Sequence, residues 1–216
     1  MNISVLCTDP AHPVVDSLRG WVASMRSAGH AVALCHDKAE LAGGDILFLV
    51  SCSQMIRDRE RNMYQATLVL HASDLPRGRG WSPHIWAIVG GASRITVSLL
   101  EAKDPVDTGP IWFKKQFELE GHELLPEINA RLFAAELALM TQAVEQFESV
   151  RPQEQSGEPG PYMTKRTPAD SELDPHRSIA EQFDLLRVID SQRYPAFIRY
   201  RGKTYWIKIE KAEDER

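Results

Sequence analysis

Long apolar stretches, basic runs and paired cysteines are all missing from this 216-residue sequence. No window approaches the roughly 20 consecutive apolar residues that a membrane-crossing helix needs. The opening "MNISVLCTDP" has no basic leader before its short apolar run, so neither a signal peptide nor an anchor is expected. Cys7, Cys35 and Cys52 are odd in number and widely spaced, which offers neither a disulfide framework nor a CxxC zinc knuckle. Reduced thiols in a cytoplasmic protein are the expectation. The net charge of −5, with no Lys/Arg run, gives no footprint for nucleic acid. No G-x-G-x-x-G follows the first apolar run, where "CTDPAHP" stands instead, and "GRGW" lacks the Gly-x4-Gly-Lys-Ser/Thr order of a phosphate loop. His12, His30, His36, His84, His122 and His176 show no metal-ligand spacing, so no metal is expected.

What is present is an ordinary globular composition, 43% hydrophobic and 25% charged. Short apolar runs at Ile3 to Cys7, in "GHAVALCHD", at Ile46 to Val50, in "ATLVLHAS" and in "RITVSLLEA" read as strands. Val14, Val15, Leu18, Trp21, Val22 and Met25 recur at helical spacing, as do Ile128, Leu132, Phe133, Leu137, Met140, Val144 and Phe147. Strands alternating with helices predict an α/β domain around a mainly parallel sheet, closing near Val150. Residues 151–175, rich in Pro, Gly and acidic side chains, read as a linker or wrapped loop. Residues 176–216 read as a small extension packed on the core: a helix started by Ser178, then a hairpin turning at Arg201-Gly202-Lys203.

Ligands of open parallel sheets bind outside the carboxyl ends of the strands. Three polar clusters come after apolar runs: "SCSQ" (Ser51 to Gln54), "HASD" (His71 to Asp74) and "KDPVDTG" (Lys103 to Gly109). A histidine and a carboxylate meeting there form an acid/base pair. A strand-end histidine is more often structural, and an Asp before Thr-Gly more often begins a turn. From the residues alone both readings stand. The stretch between the clusters, "VLHASDLPRGRGWSPHIWAI", is an apolar and stiff loop, with Trp81, Trp86, Pro76 and Pro83 where polar residues are usual.

His71-Ala-Ser-x-Leu-Pro76, then Arg79-Gly80-x-x-Pro83-x-x-Trp86-Ala-Ile88, then Val106-Asp107-Thr-Gly109 resemble the formyltransferase family, in matching order and separation over roughly Gly43 to Val150. The resemblance implies a Rossmann-like core with a mainly parallel sheet, plus the C-terminal helix and β-hairpin. It implies N10-formyltetrahydrofolate as co-substrate and an amine as acceptor. His71 and Asp107 match the catalytic pair. Ser53, Gln54, Met55 and Ile56 match a segment lining the folate pocket, and Lys103, Asp104 and Val106 the loop over the pteridine. Ser73, Arg77, Arg79 and Trp81 fall beside the acceptor. Arg79 is expected to fix the loop by bonding backbone carbonyls, Trp81 to line the acceptor cleft and Trp86 to sit in the core. Leu75-Pro76 is expected to be cis.

The family usually carries Asn two residues before the histidine, where this chain has Val69. Gln54, Ser73 or a water would have to supply the missing donor. Without a basic tRNA-binding domain, the resemblance points to small sugar-nucleotide N-formyltransferases such as those of the pseudaminic acid pathway. The implied acceptor is a UDP-linked 4-amino-4,6-dideoxy sugar, and a homodimer through the tail hairpin is implied by analogy. Two alternatives stay open: a folate- or nucleotide-binding module without turnover, and a formyl or acyl hydrolase with Cys52 or Ser53 as nucleophile.

Overall fold

In a computed structural model, which describes residues 1–212, six strands form one sheet in the order β2-β1-β3-β4-β5-β6. These are β1 (Asn2–Leu6), β2 (Ala31–Cys35), β3 (Gly44–Leu49), β4 (Tyr64–His71), β5 (Arg94–Glu101) and β6 (Ile111–Glu118). The first four run parallel. β5 is antiparallel to β4, and β6 to β5. The expected mainly parallel α/β sheet is present. The helices of this part are α1 (Val15–Ser27), α2 (Asp58–Arg61), α3 (Pro83–Val89) and α4 (Leu125–Glu145).

The two long helices, α1 and α4, cover one face. Leu18, Trp21 and Val22 of α1, with Leu132, Leu139 and Met140 of α4, form one core with Val5, Phe48, Leu68 and Leu99 of the strands. Trp21 stacks edge-on against Phe48 at 5.8 Å. Fully burying a side chain of this kind stabilises by roughly 1.5–3 kcal/mol, so this layer anchors the sheet. The opposite face is thinner. Leu6, Leu47, Leu49 and Tyr64 are covered there by Leu41, Ile56 and the loops around them. α4 stops at Glu145, somewhat short of the expected boundary at Val150.

Three elements depart from the sequence expectation. Residues 83–89 are not loop but the helix α3, with Pro83 opening it, where a missing N–H costs nothing. β6 was not foreseen, because Lys114, Lys115 and Gln116 break its apolar pattern on the outer edge of the sheet. In the tail, Ser178 accepts the Glu181 amide, but the chain then forms only a 3₁₀ turn (Ala180–Gln182) and one short helix, α5 (Phe183–Arg187).

β7 (Glu172–Leu173), β8 (Ala196–Tyr200) and β9 (Lys203–Ile207) form a second sheet, β8 and β9 being the foreseen hairpin. Its turn places Arg201 at φ 49° and Gly202 at φ 75°, the pair of left-handed residues that a two-residue hairpin turn demands. No helix among the described residues is long and apolar enough to cross a membrane.

Candidate active site

Alternation along β4 sets the site. Leu68 and Leu70 point into the helix-covered core, so Thr67, Val69 and His71 share the thinner face. His71, the last residue of the strand, is 7% exposed. Its Nε2 lies 2.9 Å from the carbonyl oxygen of Gly78. A carbonyl only accepts, so Nε2 is the protonated nitrogen of that bond. Nδ1 lies 3.5 Å from Oδ1 of Asp107. That separation is a charge contact longer than a hydrogen bond, and it leaves Nδ1 open to a third group.

Asp107 does not arrive as expected. β5 is antiparallel, so its carboxyl end lies level with Leu68, not His71: Glu101 faces Leu68 and Ser98 faces His71. The third polar cluster therefore starts at the wrong level of the sheet. The Ala102 amide bonds the Thr67 carbonyl at 2.8 Å, and the chain then climbs back across the face of β4 to bring Asp107 to His71. Asp107 sits in the left-handed region at φ 61°, a conformation costing an L-residue roughly 1–2 kcal/mol. Its Oδ2 accepts the Gly80 amide at 3.0 Å. Beyond the turn, a Cβ on Gly109 would collide with the Glu101 carbonyl, which requires glycine at that position.

The stiff loop is pinned from several sides. Lys114 Nζ reaches Asp74 at 2.5 Å and the Leu75 carbonyl at 2.7 Å. Ser98 Oγ donates to the Ser73 carbonyl at 2.7 Å. Leu75–Pro76 is cis, as expected, and so is Asp104–Pro105. Trp86 donates from Nε1 to the Thr164 carbonyl at 3.0 Å, half-buried on α3. Trp81 is exposed, with Lys165 Nζ 5.1 Å above its ring.

The remaining sequence candidates divide. Lys103 and Asp104 line a cavity of about 530 Å³ together with Thr67, Glu101 and Arg61. Thr67 Oγ1 is buried and has no partner among the described residues. Arg61 bridges Asp58 and Asp104 at 2.6 and 2.7 Å and reaches the Ile56 carbonyl at 3.5 Å. Ile56 is a buried core residue, while Met55 and Val106 are exposed. Ser53 is bonded to Thr8 at 3.0 Å. Arg77 is exposed.

Four expectations need correction. Gln54 is not held toward His71: its Nε2 donates to Asp37 at 2.8 Å and its Oε1 accepts the Lys38 amide at 2.9 Å. Ser73 does not supply the missing donor, because its hydroxyl donates to the Arg77 carbonyl at 2.9 Å. Arg79 does not bond backbone carbonyls through Nε, which is buried and has no partner among the described residues. Cys52 and Ser53 are not set up as nucleophiles. The Cys52 thiol donates to the Gln54 carbonyl at 3.4 Å, and burial pushes its pKa up.

Residues that the sequence did not single out complete the arrangement: Gly78 through its backbone, Thr67, Arg61 and, from a distant segment, Gln155; Gly80, named there only within the motif, acts through its amide. His84 adjoins the pair. Its Nδ1 is buried without a partner among the described residues. Desolvation, with His71 and His12 nearby, pulls its pKa down to about 4, so it stays neutral. A neutral wall beside His71 suits a site in which charge develops on the reactants.

Comparison with known proteins bears on the fold and the family. Methionyl-tRNA formyltransferase of Rickettsia massiliae is 29% identical over 147 residues, 68% of this chain and 47% of that protein. The chain thus spans less than half the length of such curated relatives. A structure of HypX from Aquifex aeolicus in complex with tetrahydrofolic acid superposes with a TM-score of 0.81 at 21% identity, over 97% of this chain and 37% of that one. A sugar N-formyltransferase from Shewanella sp. superposes with a TM-score of 0.71 at 17% identity, over 100% and 99%. At such identities the two structures share the fold. The formyl transferase family model matches residues 11–144, more than half of the sequence, and includes both His71 and Asp107. The chain belongs to the formyl transferase family.

Proposed function

We propose that the protein transfers the formyl group of N10-formyltetrahydrofolate to the amine of a nucleotide-linked amino sugar. The observation that carries this reading is the pair itself: an imidazole nitrogen and a carboxylate, remote in sequence, 3.5 Å apart and both largely shielded. A cavity of about 530 Å³ on the Thr67 side of β4 falls in the size range of small-molecule sites. It opens level with Thr67, roughly 13 Å along β4 from His71 at the rise of a strand. The unpartnered Thr67 hydroxyl and the charged edge formed by Arg61, Lys103 and Asp104 suit a flat heterocycle with polar rims.

The chemistry rests on the two hydrogen-bond states. The acceptor amine attacks the formyl carbon, forming a C–N bond while the carbonyl oxygen gains charge. His71, fixed through Nε2 by the Gly78 carbonyl, donates from protonated Nδ1 to that oxygen. Asp107, oriented by the Gly80 amide, balances the imidazolium and takes the proton from the new ammonium. Cleavage of the bond between the formyl carbon and N10 then releases tetrahydrofolate, which takes up a proton at N10. A donor held at such an oxyanion is commonly worth about 3–4 kcal/mol. With valine at position 69, His71 carries that role without the usual second side chain.

An amino sugar is favoured over tRNA by the acidic balance of the chain and its lack of a basic run. Incubation with N10-formyltetrahydrofolate and UDP-linked 4-amino-4,6-dideoxy sugars, followed by mass spectrometry, tests the proposal. Formylated sugar that disappears in His71→Asn and Asp107→Asn supports it. No product from any amino sugar, with folate bound, would instead select a second reading that Val69 favours, a folate-binding module without turnover.

A further inference from the structure

The segment expected as a linker or wrapped loop touches Asp107 and the loop that follows His71. Gln155 Nε2 donates to the carbonyls of Asp107 and Gly109, at 3.0 and 2.8 Å, and so spans the left-handed turn that aims the carboxylate. Just before it, Gln153 pairs with Ile111 through both backbone groups, at 2.7 and 2.8 Å, which fixes where Gln155 stands. Further on, the Met163 amide donates to the Arg79 carbonyl at 2.7 Å and its carbonyl accepts the Trp81 amide at 3.0 Å. In an extended chain successive peptide groups point to opposite sides. With residues 79 and 81 bonded to Met163, the Gly80 amide is turned the other way, toward Asp107, whose Oδ2 it meets at 3.0 Å. A side chain on Gly80 would strike the Met163 carbonyl, so the approach is as close as backbone allows.

We infer that residues 153–165 are a strap that registers the histidine loop against the aspartate loop, with Gln155 as the positioning residue for Asp107. The inference deepens the transferase proposal and rests on it for its kinetic consequence, but not for its structural one. Asp107 holds the left-handed backbone conformation that L-residues adopt uncommonly, Asp more readily than most. Among the described residues its carboxylate is tied by His71 and by a single amide, that of Gly80. Holding the two flanking carbonyls from outside stabilises the turn without occupying the face where substrates would bind. Gln is suited to this task because one NH₂ group offers two donors to two acceptors.

The test compares Gln155→Glu, which keeps shape but replaces both donors with oxygens facing two carbonyls, and Gln155→Lys, which restores a donor. Amide hydrogen exchange at Gly80 reads the strap directly. Gln155→Glu is expected to speed that exchange about 10- to 30-fold, from the loss of two hydrogen bonds, while Gln155→Lys stays within about threefold of wild type. In turnover, Gln155→Glu is expected to lower kcat by a similar factor with KM for the folate little changed, and Gln155→Lys to recover most of it. Should Gln155→Glu fail to fold, Gln155→Ala serves with the same readouts. Unchanged Gly80 exchange in a folded variant without the donors overturns the strap whatever the activity. Faster exchange in a protein that formylates no amine keeps the strap and refutes the transferase reading instead.

Discussion

Glu136 lies on the buried face of α4, 7% exposed, and its Oε2 has no hydrogen-bond partner among the described residues. Burial pushes its pKa up from 4.5 to about 8. The native protein therefore holds a proton there that the unfolded chain releases above its ordinary carboxyl pKa. The folded state binds more protons across that window, so stability falls as pH rises from about 4.5 to about 8. Each pH unit inside the window is worth about 1.4 kcal/mol. Gln keeps the volume and cannot titrate. The stability of Glu136→Gln relative to wild type should accordingly climb by roughly 3–4 kcal/mol between about pH 5 and about pH 8. Urea denaturation of both proteins at several pH values, followed by tryptophan fluorescence, measures the difference directly. All other titrating groups cancel in the comparison. Parallel stability curves would show that the carboxyl finds a partner or water, and would refute the argument.

Three further outcomes are expected. Glu123, 1% exposed, is opposed by desolvation. The amides of Glu120 and Gly121 and the Arg131 guanidinium outweigh that and hold it at about 2. Its stabilisation is complete above about pH 4.5 and is lost as pH falls toward about 2. Since Glu123 also faces buried Arg187 at 3.7 Å, Glu123→Gln should cost about 3–5 kcal/mol in chemical denaturation at neutral pH. Gly80→Ala, at φ 110° and against the Met163 carbonyl, should lose at least about tenfold in kcat in steady-state assays, for a stability cost of at least about 1–3 kcal/mol from the backbone strain, to which the clash adds. Val69→Asn places an amide on the β4 face that carries His71, and steady-state kinetics should show kcat raised by about tenfold or more.

The helices and parallel strands were legible because their patterns are redundant. Ile46 to Val50 is apolar on both faces, and α4 repeats its stripe along its whole length, so no single residue decides the assignment. Strand direction was not legible. Nothing in "RITVSLLEA" tells a parallel strand from an antiparallel one, and the short α3 that precedes it is masked by the prolines and glycines around it. The pair itself was found through the motif resemblance, while the chemical argument for it placed the aspartate cluster at the wrong level of the sheet. Gly78 and Gly80 act through backbone atoms, and Gln155 lies in a segment with no periodicity. Roles of that kind leave no pattern in residue type.

The returning loop after β5 has a consequence of its own. The same short run of residues supplies one wall of the cavity, through Lys103 and Asp104, and carries the carboxylate, through Asp107. A guest that shoulders this wall aside shifts the carboxylate with it, while one that fits leaves the aim intact. On the proposed reading, donor fit and proton transfer would be joined within this one loop.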